Sequence, residues 1–213
     1  MDPTFLLSAF VTLFVVIDPI GMAPLFVALT AGEPGARRRA IALRACLIAL
    51  ALLTLFGLAG EAVLAFVGIS MPAFRIAGGI LLFLTALDML FERRTQRRRK
   101  NAEGEEDRPD PSVFPLAIPL IAGPGAIASM ILLAGQAPAD GAALHLLAVH
   151  LVMAGVLGLV LAMFLAAGLI ERALGATGIL VVTRLLGMLL AALSVQFVID
   201  GIAGAMATGL AQR

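Results

Sequence analysis

The chain has 213 residues, 61% of them hydrophobic and 14% charged, with a mean hydropathy of +1.06. A soluble domain carries roughly a quarter charged residues, so this composition excludes a water-solvated globule and puts the chain in a lipid bilayer. The formal net charge of +1 gives no reason to expect nucleic acid, and the single cysteine, Cys46, excludes an internal disulfide, a Cys-X-X-Cys redox site and a one-chain thiolate metal centre.

The first apolar run, Phe5 to Leu29, follows Met1-Asp2-Pro3-Thr4, an acidic lead where a signal peptide wants a basic one, so it is expected to be retained as a span. As a continuous helix it would reach about 37 Å, enough for a hydrocarbon core of about 30 Å. Further runs at 41–67, 72–91, 113–135, 142–170 and 178–206 predict an all-α membrane protein of six transmembrane helices. Thirteen of the fifteen bases lie in or beside the first, third and fifth connections, which the positive-inside rule places in the cytoplasm. Both termini are then periplasmic or external. The third connection, 93–112, mixes arginines with Glu103, Glu105, Glu106 and Asp107, the composition of a solvated linker.

The sequence repeats. Arg75-Ile-Ala-Gly-Gly-Ile-Leu81 of span three reads like Arg184-Leu-Leu-Gly-Met-Leu-Leu190 of span six, with Thr85 matched by Ser194. Ile17-Asp-Pro-Ile-Gly-Met-Ala-Pro24 of span one reads against Ala122-Gly-Pro-Gly-Ala-Ile-Ala-Ser129 of span four. Two copies of three spans follow, residues 1–92 and 113–213, joined by the 93–112 linker. An odd number of spans makes the second copy enter from the opposite side, so the repeat is inverted.

Pro19, Gly21 and Pro24 in span one, and Pro115, Pro119, Gly123, Pro124 and Gly125 in span four, predict that both helices are broken. Backbone freed at membrane depth must face protein or a wet cavity, and paired breaks in two inverted halves point to a midplane substrate site. Asp18 lies at the first break, where a carboxylate costs about 2.5–3.5 kcal/mol on insertion scales. A zwitterionic amino acid would fit there, its ammonium toward Asp18 or freed carbonyls and its carboxylate toward the amides of Gly125 and Ala126. Asp18 reads equally as a proton carrier or as the N-cap of the second half-helix.

Glu61 and Arg75 flank the second connection, and Glu171 and Arg184 flank the fifth, so each hairpin brings an acid and a base to similar depth, as an ion-pair brace or as a gate. Thr12, Thr85, Ser194 and Gln196 read as interhelical hydrogen-bonding groups. His145 and His150 are five apart, off a common helical face, and no metal site is expected. Hydrolytic chemistry lacks a nucleophile with a matching base, so no catalytic residue is assigned. A secondary transporter accounts for the repeat, the breaks and the buried acid; a small-solute channel or a drug-efflux protein is the alternative.

The stretches FVTLFVVIDPIGMAPLFVAL (10–29), MPAFRIAGGILL (71–82), PLAIPLIAGPGAI (115–127) and TRLLGMLLAALSVQFVIDGI (183–202) together resemble the MarC family of bacterial inner-membrane proteins. The resemblance covers nearly the whole chain. It implies a multi-pass protein of the bacterial plasma (inner) membrane that carries small neutral amino acids such as alanine and glycine, related to the lysine-exporter superfamily. By its motifs Asp18, Pro19, Gly21 and Pro24, with Gly123, Pro124 and Gly125, are the substrate-site breaks. No cofactor is implied; H+ or Na+ would be the coupling ion.

Overall fold

The computed structural model describes residues 2–91, 110–137 and 140–211, with the side chains of 170–172, 176 and 208–211 outside that description. The predicted linker therefore lies outside the described residues as far as 109, and so does the Glu171 side chain. All regular structure among the described residues is helical: α1 (Pro3–Ile17), α2 (Pro19–Leu29), α3 (Gly35–Val67), α4 (Met71–Leu90), the irregular α5 (Ser112–Ile121), α6 (Pro124–Ala134), α7 (Ala142–Leu165) and α8 (Ala167–Ala211). Among the described residues five helical segments are long and apolar enough to cross a membrane, Pro3–Leu29 counted as one, and the α5–α6 pair, bent by 54°, supplies a sixth.

Local chemistry explains where the helices begin and end. Asp2 caps α1 by accepting from Thr4 N at 2.9 Å, and Ser70 caps α4 by accepting from Ala73 N at 3.3 Å. Gly68 closes α3 with φ 82°, a left-handed value that costs glycine little. The long C-terminal helix is interrupted at Gly175 (φ 61°, ψ 173°), so the sixth apolar span is Thr177–Ala207. In α5 the two interior non-helical extended residues are Phe114 and Ile118, each directly before a proline, whose ring disfavours α geometry in the residue ahead. Leu116 N and Ala122 N reach back five residues to Pro111 O (3.2 Å) and Ala117 O (2.9 Å), which gives the segment wide turns.

Large apolar side chains cover the outside: Phe66 is 92% exposed and Leu151 64%, as lipid-facing residues are. The buried stripe of α3 is built largely of small residues, among them Ala42, Ala45, Ala49, Gly57 and Gly60, which lets neighbouring helices come close. α4 packs antiparallel on the C-terminal part of α8 along most of its own length. A β-carbon on Gly79 would stand 2.8 Å from Ser194 O, one on Gly201 2.9 Å from Pro72 O, and one on Gly187 3.0 Å from Met89 Cβ. α3 and α7 are antiparallel too, since Gly57 lies beside His150 while Gly35 and Arg38 share a cavity wall with Leu165. The packing is reciprocal: α3 lies on α5 and α6, α7 on α1 and α2, α8 on α2 and α4 on α6.

Candidate functional site

Asp18 is the hinge of span one. Its backbone is left-handed (φ 55°, ψ 65°), a conformation aspartate tolerates better than most residues. Asp18 N donates to Phe14 O at 2.9 Å and closes α1, while Asp18 O accepts from Met22 N at 3.1 Å and Oδ1 accepts from Gly21 N at 3.0 Å to open α2. Pro19 takes the first helical position, where its missing N–H costs nothing. Pro24, inside α2, removes the donor that would meet Ile20 O. The N-cap reading of Asp18 is thus realised, on a side chain only 2% exposed midway along an apolar span.

Gly21 is glycine for a steric reason. A β-carbon there would overlap the Asp18 carboxylate and stand 2.8 Å from Thr183 Oγ1 of α8. That hydroxyl is buried and has no hydrogen-bond partner among the described residues. Thr183 therefore belongs to the surroundings of Asp18, and sequence reasoning missed it. Its one signal was position, immediately before Arg184 of the repeated motif.

The break in span four is built differently. Gly123 precedes α6 in extended geometry, Pro124 takes the first turn, and no side chain caps this end. Ile127 N donates to Gly123 O at 3.0 Å, whereas Gly125 and Ala126, ahead of that first intrahelical bond, present their amides at the bare positive end of the half-helix. Gly125 and Ala126 are buried; Pro124 is exposed. A β-carbon on Gly125 would lie 3.1 Å from Leu82 Cδ2, 3.3 Å from Val16 Cγ1 and 3.7 Å from Thr85 Oγ1, so the uncapped end packs against span one two residues before Asp18. At Gly123 the close neighbour is Pro119 O of its own span, which makes that glycine a packing requirement of the turn.

Other predicted residues fall elsewhere. The Glu61 carboxylate lies beside Gly135, with Oε1 3.1 Å from where a β-carbon would stand, and forms no ion pair with Arg75. Equal depth in a hairpin does not set the rotation of either helix, and Glu61 is turned toward the end of α6. Arg184 lies on α8 beside Thr183. Thr85 and Ser194 donate within their own helices, to Leu81 O (3.0 Å) and Ala191 O (2.7 Å), instead of across an interface as expected. Gln196 likewise meets Asp200 one turn on, at 2.7 Å.

The histidines serve different surfaces. His145 Nε2 meets Leu133 O of α6 at 2.9 Å under the Phe5 ring, whereas His150 Nδ1 meets Leu146 O of its own helix at 2.7 Å. At the arginine-rich end of the bundle, Arg44 of α3 pairs with Asp110, whose Oδ1 accepts from Ser112 N at 3.0 Å. Ser112, whose amide donates to it, and then the Arg44 guanidinium hold the Asp110 carboxyl below the usual carboxylate range.

Comparison with known proteins agrees with this architecture. The profile of the MarC family, described as integral membrane proteins, matches residues 3–206. A UPF0056 membrane protein of Methanocaldococcus jannaschii is 38% identical over 208 residues, covering 97% of this chain and all of the relative. The UPF0056 inner membrane protein YhgN of Escherichia coli is 37% identical over 199 residues (92% of this chain, 95% of the relative). The UPF0056 membrane protein YvbG of Bacillus subtilis is 35% identical over 204 residues (94% and 95%). No solved structure matches the chain. With a family profile spanning both broken helices and every apolar span between them, the chain belongs to the MarC family of integral membrane proteins.

Proposed function

We propose that this protein is a secondary transporter of small neutral amino acids, alanine and glycine foremost, working by alternating access in the plasma (inner) membrane, with export the favoured direction. The observation that carries the reading is the pairing of two broken spans with opposite ends. One break presents the carboxylate of Asp18 and the C-terminal carbonyls of α1; the other presents the uncapped amides of Gly125 and Ala126. A zwitterion needs both: a negative pole for its ammonium and a helix N-terminus for its carboxylate. In this reading Thr183 Oγ1 supplies a polar contact on the ammonium side, and Asp18 also takes part in coupling to H+ or Na+.

The alternating mechanism rests on an inverted repeat, 1–92 against 113–213. Its support is that the sequence-equivalent helices α4 and α8 run antiparallel, as do α3 and α7, and that packing between the halves is reciprocal. A relation of this kind lets one half rock against the other around a fixed site. Glu61, Arg75, Glu171 and Arg184 are the charged candidates for gating, and the termini lie on the external side.

Radiolabelled alanine and glycine flux in proteoliposomes, with and without a proton or sodium gradient, tests the proposal. Saturable flux, competed by other small neutral amino acids, is expected. Absence of flux in both directions, together with absence of competing binding, sinks it.

A further inference from the structure

We propose that the groove between α2, α3 and the α7–α8 turn is a binding site for one anionic phospholipid of the surrounding bilayer. The groove has a volume of about 600 Å³ and lies at the end of the bundle where Arg37, Arg38, Arg39 and Arg44 cluster. Its floor is an aromatic pair, Phe26 stacked on Phe164 with ring centroids 4.5 Å apart, and both rings are about 1% exposed. Among the described residues its charged lining side chains are Arg38 and Arg39, with no acid beside them. The Arg38 guanidinium carbon stands 5.8 Å from the centroid of the Phe26 ring, within cation–π range, which keeps this donor fork over the aromatic floor. On the other wall Leu165 and Leu169 are 56% and 69% exposed, an apolar track leading from the arginines toward the lipid.

Charge complementarity and the two-part lining select the ligand. A phosphate diester matches the planar donor forks of the arginines, and an acyl chain matches the leucine wall. A soluble anion would use only the first part, and a neutral lipid only the second. Basic pockets between transmembrane helices take anionic headgroups on the same physical grounds. The site is separate from the two helix breaks and stands whether or not the protein carries amino acids.

The test uses the full chain purified in uncharged detergent, with phosphatidylglycerol, phosphatidylcholine of identical acyl chains, and glycerol 3-phosphate as probes. Native mass spectrometry and the thermal midpoint are the readouts. Saturable binding of one phosphatidylglycerol per chain with a raised midpoint is expected, and neither phosphatidylcholine nor glycerol 3-phosphate should match it. Arg38→Gln with Arg39→Gln should weaken binding roughly thirtyfold, the effect of two bases at a membrane surface. Gly168→Phe is the second variant: among the described residues nothing lies within 4 Å of a β-carbon there, so the side chain has room to enter the groove, and lipid binding should be lost. Gly155→Phe, equally open and remote from the groove, should bind as the wild type does. Equal binding of the two lipids, wild-type binding by both groove variants, or equal protection by glycerol 3-phosphate would each overturn the proposal.

Discussion

The Asp18 carboxylate and Gly21 N are joined at 3.0 Å across a left-handed turn, and the carboxylate fills the space that a side chain at position 21 would need. One acid thus ends a helix, starts the next and selects the residue three positions on. Gly21→Ala should therefore drive the methyl into Asp18 and toward Thr183, costing about 1–3 kcal/mol as overpacking does and abolishing flux. Gly158→Ala, where a β-carbon meets nothing within 4 Å, should leave both unchanged. Thermal midpoints in detergent and alanine flux in proteoliposomes check the pair.

At position 18 the cap and the charge can be separated. Asparagine tolerates left-handed backbone and its oxygen can accept from Gly21 N, so Asp18→Asn should keep the fold while impairing flux or its dependence on pH. Asp18→Ala should in addition lose about 1 kcal/mol of capping. Wild-type flux by Asp18→Asn at every pH tested would remove Asp18 from the transport mechanism and leave only its structural role.

Thr183 offers a sharper discrimination. A buried hydroxyl without a partner contributes nothing favourable to folding, so Thr183→Val should be neutral or stabilising in thermal unfolding. If the hydroxyl receives the substrate ammonium, KM for alanine should rise about fivefold, a lost contact of about 1 kcal/mol. A change in stability with KM unaltered would assign Thr183 to packing.

The Arg44–Asp110 pair predicts a pH dependence at the arginine-rich end. Asp110 has a folded-state pKa below its ordinary 3.8, so its contribution to stability is present above that value and is lost as pH falls through the lowered folded value. Asp110→Asn should lower the thermal midpoint at pH 7. The difference from wild type should shrink at pH 3 and below. An unchanged difference across that range would show that the carboxylate charge plays no part.

For orientation, single cysteines at Ala31 and Ile69 in a Cys46→Ala background report opposite ends of the bundle, since the two residues lie in successive connections. An impermeant thiol reagent applied to intact cells should label the Ile69 site and spare the Ala31 site. The reverse pattern would invert the proposed topology.

What the sequence determined by itself is what local chemistry controls. Run length and apolarity specify a span because the bilayer has a fixed thickness, and proline with glycine specifies a break because it removes a donor or relaxes the backbone within its own turn. The six apolar spans and the interruptions at Asp18 and Gly123 were legible for that reason, as was the match between Arg75 and Arg184. Tertiary structure decided which faces meet. Glu61 and Arg75 stand at matched positions in their hairpin, yet Glu61 turns to Gly135, because each helix takes its rotation from close packing of its own small residues, Gly60 on Ile131 for α3 and Gly79 on Ser194 for α4. The same packing brings Thr183 to Gly21, a contact between residues 162 positions apart that no periodicity within either helix encodes. It also divides the glycines of the breaks, leaving Gly123 to its own turn and Gly125 to the junction with span one.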